Sequence, residues 1–218
     1  MIVAARNEAD RIGDTLEALA AALPEAAIWV ADDASDDGTT EIALARGARV
    51  VSRRRPHGKG ANVTAAAEAL LSERPRGIVL LCDADLGSSA ARLPALLEPV
   101  RRGEADLTIA AFSRRVGGGL GLAVGFSRWT VERLAGLRLA APISGQRAMR
   151  VEALRELLPL APGYGLETAM DIDAARAGFR IEEIELDLAH RATGRTLVGF
   201  LHRGRQLRDF LRVYWSRR

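Results

Sequence analysis

Val79-Leu80-Leu81-Cys82-Asp83-Ala84-Asp85-Leu86-Gly87 is the stretch whose reading decides the fold. The apolar run from Ile78 to Cys82 ends abruptly in Asp83 and Asp85, two carboxylates one residue apart. An unbroken apolar run of this length, bounded by Gly77 and a polar turn, reads as a strand buried on both faces. Open α/β sheets bind ligands at the carboxyl ends of such strands. Two acids placed there are costly to desolvate without a cation. Magnesium in particular combines one or two carboxylates with substrate phosphates. The local reading is a metal–phosphate site at a strand end; its plain rival is an acidic turn after a strand, since Asp-x-Asp is short and common.

The 218 residues fit one domain or a domain with a small appendage, and 48% hydrophobic content suffices for a large core. The single Cys82 excludes an internal disulfide and a multi-cysteine zinc site, and fits a reducing cytoplasm. The sequence has neither a secretory signal nor an apolar run of the ~18 or more residues that a membrane span needs. Net charge is only +3, carried almost wholly by arginine, with Lys59 the only lysine.

Outward from the central strand, the first half alternates strand and helix. Met1–Ala5 reads as the stump of a first strand, short enough to expect residues before it. Ile12, Leu16, Leu19 and Leu23 follow at helical spacing and Pro24 stops that helix. Strands are predicted at 27–31, 48–51 and 106–112, with helices at 40–46, 61–71 and 93–100. This alternation argues a mainly parallel sheet with helices on both faces. Between strand and helix lie Asp32-Asp33-Ala34-Ser35-Asp36-Asp37-Gly38, rich in helix-capping residues, and His57-Gly58-Lys59-Gly60, a loop able to approach phosphate closely. The second half begins with the basic, glycine-rich Ser113–Gly121. A helix is predicted at 127–137 with Trp129, Leu134 and Leu137 as buried positions. Further helices are predicted at 151–158 and 166–177, and a half-exposed strand at 181–188.

Four motifs in order, Ala4-Ala5-Arg6-Asn7-Glu8, Val30–Thr39, Pro56–Gly60 and Asp83-Ala84-Asp85-Leu86, resemble those of family-2 glycosyltransferases of the GT-A fold. The resemblance covers essentially the whole chain and implies a Rossmann-like three-layer α/β sandwich. It implies one catalytic domain over residues 1–195, with a nucleotide-sugar half at 1–112 and an acceptor half at 113–195. A basic amphipathic helix follows at 196–218. The donor would be a UDP- or GDP-sugar. By resemblance, Arg6 and Glu8 lie at its nucleoside, Asp32 or Asp33 at the base, Lys59 near base or diphosphate, and Asp83 at ribose or metal. Asp85 would be the direct ligand of Mg2+ or Mn2+, which offsets charge on the leaving nucleoside diphosphate.

Two subfamilies compete in the second half. Arg115-Val116-Gly117-Gly118-Gly119 with Ser144-Gly145-Gln146-Arg147 resembles polyprenol-phosphate sugar synthases, which implies that Arg114, Arg115, Arg128 and Arg147, with Ser144 and Gln146, hold an acceptor phosphate. Guanidinium suits phosphate oxygens. The departure is Gly87, where those synthases usually carry a glutamine. Gly163-Tyr164-Gly165-Leu166-Glu167 with His190-Arg191 resembles glucosyl-3-phosphoglycerate synthases, which implies His190 as a metal ligand. A hydroxyl acceptor requires a general base, for which Glu167 is the first candidate and Asp171, one helical turn on, the second. A phosphate acceptor needs none.

In the tail, Leu197, Phe200, Leu201, Leu207, Phe210, Leu211 and Tyr214 form an apolar face opposite a row of arginines. Such a helix either packs on its domain or lies in an anionic membrane surface, which would place the protein at the cytoplasmic face of the cell membrane. A homodimer stays open. Nucleic acid is not expected, since no reading motif accompanies the arginines. The rival functions are nucleotidyl transfer to a sugar phosphate and a degenerate nucleotide-binding domain.

Overall fold

The computed structural model describes residues 1–112, 122–189, 208–209 and 211–218. The expectations for Arg114, Arg115, His190, Phe210 and the whole 196–207 segment fall outside the described residues.

Among the described residues, seven strands form one sheet: β1 (Ile2–Ala5), β2 (Trp29–Asp32), β3 (Arg49–Ser52), β4 (Ile78–Asp83), β5 (Leu107–Phe112), β6 (Arg147–Arg150) and β7 (Ile181–Leu186). Their order is β3-β2-β1-β4-β6-β5-β7. Neighbours are parallel except β6, which runs antiparallel to both β4 and β5. The chain builds outward from β1 through β2 to β3, then returns to place β4 on the other side of β1. The crevice between β1 and β4 is therefore a topological switch point, where such sheets bind ligands.

The strands bury both faces. On β4, Val79 and Leu81 point into one hydrophobic cluster and Leu80 and Cys82 into the other, the alternation that a strand imposes. One face is covered by α1 (Ile12–Ala22), α2 (Thr39–Ala45), a 3-10 segment at Gly87–Leu96 and α4 (Leu97–Arg101). The other is covered by α3 (Lys59–Ser72), α5 (Leu122–Ala135), α6 (Val151–Leu157) and α7 (Leu166–Arg176). Three layers result, as the alternating pattern predicts. Among the described residues, no helix is long and apolar enough to cross a membrane.

Three differences from the sequence reading have physical causes. The predicted helix at 93–100 is 3-10 over its first half, to Leu96, where Pro94 has no N–H to donate, and α-helical only from Leu97. Strand β6 gives no apolar signal, since its four residues include Arg147 and Arg150; it is stabilised by pairing on both edges. Trp129 is 49% exposed, and Val131 takes the fully buried position on α5. Described residues of the last helix pack on the domain: Val213 enters the core, Tyr214 stacks on Trp129 at 5.3 Å, and Arg217 pairs with Asp173 at 2.6 Å.

Candidate functional site

The parallel register sets the tips of β1, β2 and β4 side by side. Ala5 pairs with Asp32 and Ala4 with Asp83, and the ladder continues through Asp33 N–H to Ala5 O and Ala84 N–H to Ala4 O, both 3.0 Å. A cleft of about 500 Å³ opens over these tips, and Arg6, Glu8, Asp33, Lys59, Asp83 and Asp85 all line it. The acids that the sequence separates by up to 77 positions share one cavity.

Each corner is built locally. Asn7 has φ 54° and its amide side chain accepts from Asp36 N–H at 3.1 Å, while its own N–H donates to Ser35 Oγ at 2.9 Å. This ties the β1 corner to the β2 turn. Glu8 O then accepts the first bonds of α1 from Arg11 and Ile12. The acidic turn is pinned from below by Thr15 on α1: its hydroxyl donates to Ala84 O at 2.7 Å and accepts from Gly87 N–H at 2.8 Å. Arg11 donates to Asp85 O at 3.2 Å. Gly87 carries φ 53°, a left-handed conformation suited to glycine.

The paired aspartates of the second turn diverge. Asp32 is fully buried, and its carboxylate accepts from Ser35, Thr40 and Ser52. The expectation that it contacts the nucleotide is corrected: it is the internal brace of the turn, sealed away from the cleft. Asp33 lines the cleft, and its oxygens accept from the backbone of His57 (2.7 Å) and Gly58 (3.1 Å) and from the Asn62 amide. Arg6 approaches Asp33 at 3.6 Å. Asp33 thus shapes the loop that delivers Lys59.

Lys59 opens α3 and lies between two acids, 2.6 Å from Asp83 and 2.8 Å from Glu167. Burial works against its charge, but the carboxylates of Asp83 and Glu167 outweigh that and raise the ammonium above its ordinary value. Asp83 also accepts from Gln146 Nε2 at 2.9 Å, and Gln146 accepts from Ser144 Oγ at 3.1 Å. Ser144 and Gln146 are buried; they hold Asp83 in place, which corrects their assignment to the acceptor. Gly145 fits closely between them: a Cβ there would stand 2.5 Å from the Asp83 carboxylate and 2.6 Å from the Lys59 ammonium, so both side-chain ends would have to shift. Gly60 is the stricter requirement, since a Cβ would meet the backbone oxygen of Ala161 at 1.9 Å.

Arg147 and Asp171 form a buried ion pair at 2.5 Å behind this cluster. Arg147 also donates to Ser144 O and Pro142 O. Neither residue lines the cleft, so the roles of Arg147 in acceptor binding and Asp171 as a base are corrected: both are internal supports. Burial pushes the Asp171 carboxyl up to about 7 against the pull of Arg147. Arg128 donates to Ala140 O on the outer surface and does not line the strand-tip cleft. Burial pushes the Cys82 thiol up to about 12, so it is an inert core group.

Sequence reasoning missed several participants. Asn62, a polar residue on the buried face of α3, was legible from helical spacing alone. Thr15 was not, because its partners are tertiary. Nor were Arg208, Asp209 and Arg212, which close the cleft on the side facing Gly163.

Among the described residues no three acids, histidines or cysteines gather into a protein-only metal site. The donor set fits a hard divalent cation completed by substrate phosphates, which needs only one or two carboxylates. Asp85 suits that role, with Asp83 beside it but paired to Lys59. Ala189 N–H donates to Ser89 Oγ at 3.0 Å, four residues past Asp85.

Comparison with known proteins agrees with this geometry. The family model for glycosyl transferase family 2 matches residues 1–158. An undecaprenyl-phosphate mannosyltransferase of Micrococcus luteus is 34% identical over 214 residues, covering 88% of this chain and 84% of that protein. A glucosyl-3-phosphoglycerate synthase of Mycolicibacterium paratuberculosis is 36% identical over 206 residues, covering 79% of this chain but only 58% of the synthase. The crystal structure of glucosyl-3-phosphoglycerate synthase from Mycobacterium tuberculosis with Mn2+, UDP and glucosyl-3-phosphoglycerate superposes with a TM-score of 0.79. It is 29% identical, and the match covers 99% of this chain and 78% of that one. With residues 1–158 matched by the family model and the strand-tip acids gathered in one cleft, the chain belongs to glycosyl transferase family 2 and is a glycosyltransferase.

Proposed function

We propose that this enzyme transfers a sugar from a nucleoside-diphosphate sugar to a polyprenyl phosphate at a membrane surface, with Mg2+ or Mn2+ as cofactor. The observation that carries the reading is the shared cleft of Glu8, Asp33, Lys59, Asp83 and Asp85 at the β1–β4 switch point. Arg6, Glu8 and Asp33 line the part of it suited to a nucleoside, because carboxylates accept from ribose hydroxyls and base N–H groups. Asp85 would hold the cation, with Asp83 and His190 as further ligands; bound there, it supplies Lewis-acid neutralisation of the departing diphosphate. Lys59 pairs with both Asp83 and Glu167 and stands between them.

A phosphate acceptor is anionic at neutral pH and attacks without a base, which leaves Glu167 free to stay paired with Lys59. Arg115 would meet that phosphate. A lipid-borne acceptor is supported by a strip of aromatic side chains on α5 and the last helix: Phe126 contacts Trp129, Trp129 stacks on Tyr214, and Tyr214 meets Trp215 edge-on. Trp129 and Trp215 are both substantially exposed, as interfacial aromatics are at a membrane. The second reading is a free phosphorylated acceptor, favoured by the 0.79 superposition on a synthase solved with glucosyl-3-phosphoglycerate.

The test is turnover with UDP-glucose, GDP-mannose and UDP-GlcNAc plus Mn2+, each with undecaprenyl phosphate in vesicles or with 3-phosphoglycerate. Manganese-dependent release of nucleoside diphosphate with glycolipid formation is expected. Product on phosphoglycerate alone would select the second reading. Pyrophosphate release from a nucleoside triphosphate and a sugar phosphate would overturn both.

A further inference from the structure

The last helix does more than cover the domain: Arg208, Asp209 and Arg212 line the same cleft as the strand-tip acids. They come from beyond residue 158, where the family match ends. We infer that Arg208 and Arg212 form a phosphate-holding wall of this cleft, facing the acids across the bound substrate. The inference rests on the donor reading above and names residues it does not use.

The geometry is specific. Arg208 and Arg212 are one helical turn apart, so their side chains leave the same face of the helix. Among the described residues both approach Asp209, at 3.5 and 3.9 Å, and both side chains are more than half exposed and line the cleft. Asp209 itself faces the domain and is nearly buried. It fills the space above Gly163, where a Cβ would come within 2.2 Å of its carboxylate, and Val213 fills the space above Gly165 at 2.4 Å. The Gly163-Tyr164-Gly165 turn is therefore the seat of the helix, and two absent side chains fix how close the arginines come.

Charge explains why such a wall is needed. The cleft lining carries five carboxylates against four arginine or lysine side chains, a surplus of negative charge before any substrate enters. Arg6 and Lys59 are already paired to Asp33 and Asp83. A divalent cation offsets part of the charge of a diphosphate, and Arg208 and Arg212 supply the rest. Guanidinium donors suit phosphate oxygens from either source, the donor diphosphate or the acceptor phosphate.

The test uses the full chain and the R208A/R212A double variant, titrated calorimetrically with UDP, inorganic pyrophosphate and uridine in the presence of Mn2+. Inorganic phosphate is titrated separately at saturating UDP. Loss of about tenfold or more in UDP and pyrophosphate affinity, with uridine unchanged and a shallower salt dependence, places the wall at the donor diphosphate. The same loss confined to inorganic phosphate places it at the acceptor. Equal affinities in both proteins for all three anions overturn the inference while leaving the donor reading intact; a parent chain that binds pyrophosphate but not UDP does the reverse. Gly165→Ala alters no cleft-lining residue but pushes on Val213. A cooperatively folded G165A protein should bind the same anion less tightly, and unchanged affinity would refute the seat.

Discussion

Replacing Lys59 by alanine leaves Asp83 and Glu167 facing each other across the space its ammonium filled. Those carboxylates lie 2.6 and 2.8 Å from the nitrogen, so without it they repel across at most about 5 Å, worth ~3 kcal/mol or more at an effective dielectric of ~20. Removing one partner of a buried pair costs about 3–5 kcal/mol. The Lys59 side chain is 30% exposed, so the low end applies, about 3 kcal/mol, or a fall in Tm of about 6–12 °C for a chain of this size. The pH dependence has a definite sign. Lys59 has a raised folded-state value, so its contribution is complete below the ordinary lysine range and is lost only as pH rises through that raised value. Between pH 6 and 9 the deficit of the variant should therefore be constant. Calorimetry adds a second readout. With Lys59 gone, Asp83 no longer shares its carboxylate with an ammonium, so Mn2+ alone should bind more tightly to K59A while UDP with Mn2+ binds more weakly. A variant as stable as the parent, with the same affinity for Mn2+ alone, would refute the view that this lysine holds the acids apart.

The remaining expectations are briefer. Asp85→Ala should abolish metal-dependent UDP binding with little change in Tm, and unchanged UDP affinity with and without Mn2+ removes Asp85 from the site. Arg147→Met leaves Asp171 buried without its partner and should cost about 3–5 kcal/mol in urea denaturation; a higher acceptor KM at parental stability would return Arg147 to the acceptor. Asp171 has a folded value of about 7, above its unfolded one, so its share of stability is present at acid pH and lost as pH rises through about 7. The stability profile of D171N should lack that decline. Gly60→Ala drives a Cβ to 1.9 Å from Ala161 O and should lower Tm by about 5 °C or more, through a clash of ~2 kcal/mol or more between backbone and side chain; a parental Tm would show that the loop yields freely.

Layering was legible because period and polarity are local. Ile12, Leu16 and Leu19 mark one face of α1, and the run ending at Cys82 needs helices on both sides. The cleft was legible in outline for a related reason: parallel strands end together, so polar residues following several strands share a site. Roles within it were not. Asp32 and Asp33 are chemically identical neighbours, yet alternation along the strand turns one into the core and the other to the cleft. Arg147 resembles a ligand in sequence because nothing local announces Asp171, 24 residues on, as its partner. Strand β6 escaped notice because an antiparallel strand wedged between two others needs little apolar pattern of its own. The part played by the last helix depends on Gly163 and Gly165, whose meaning appears only when Asp209 and Val213 stand over them.

The most direct measurement is an anomalous difference map from crystals grown with Mn2+ and UDP. The account predicts one manganese peak bonded to the Asp85 carboxylate and to diphosphate oxygen, with the uridine beside Glu8 and Asp33. A peak that touches the diphosphate but not Asp85, or a nucleotide seated outside the β1–β4 crevice, would contradict it.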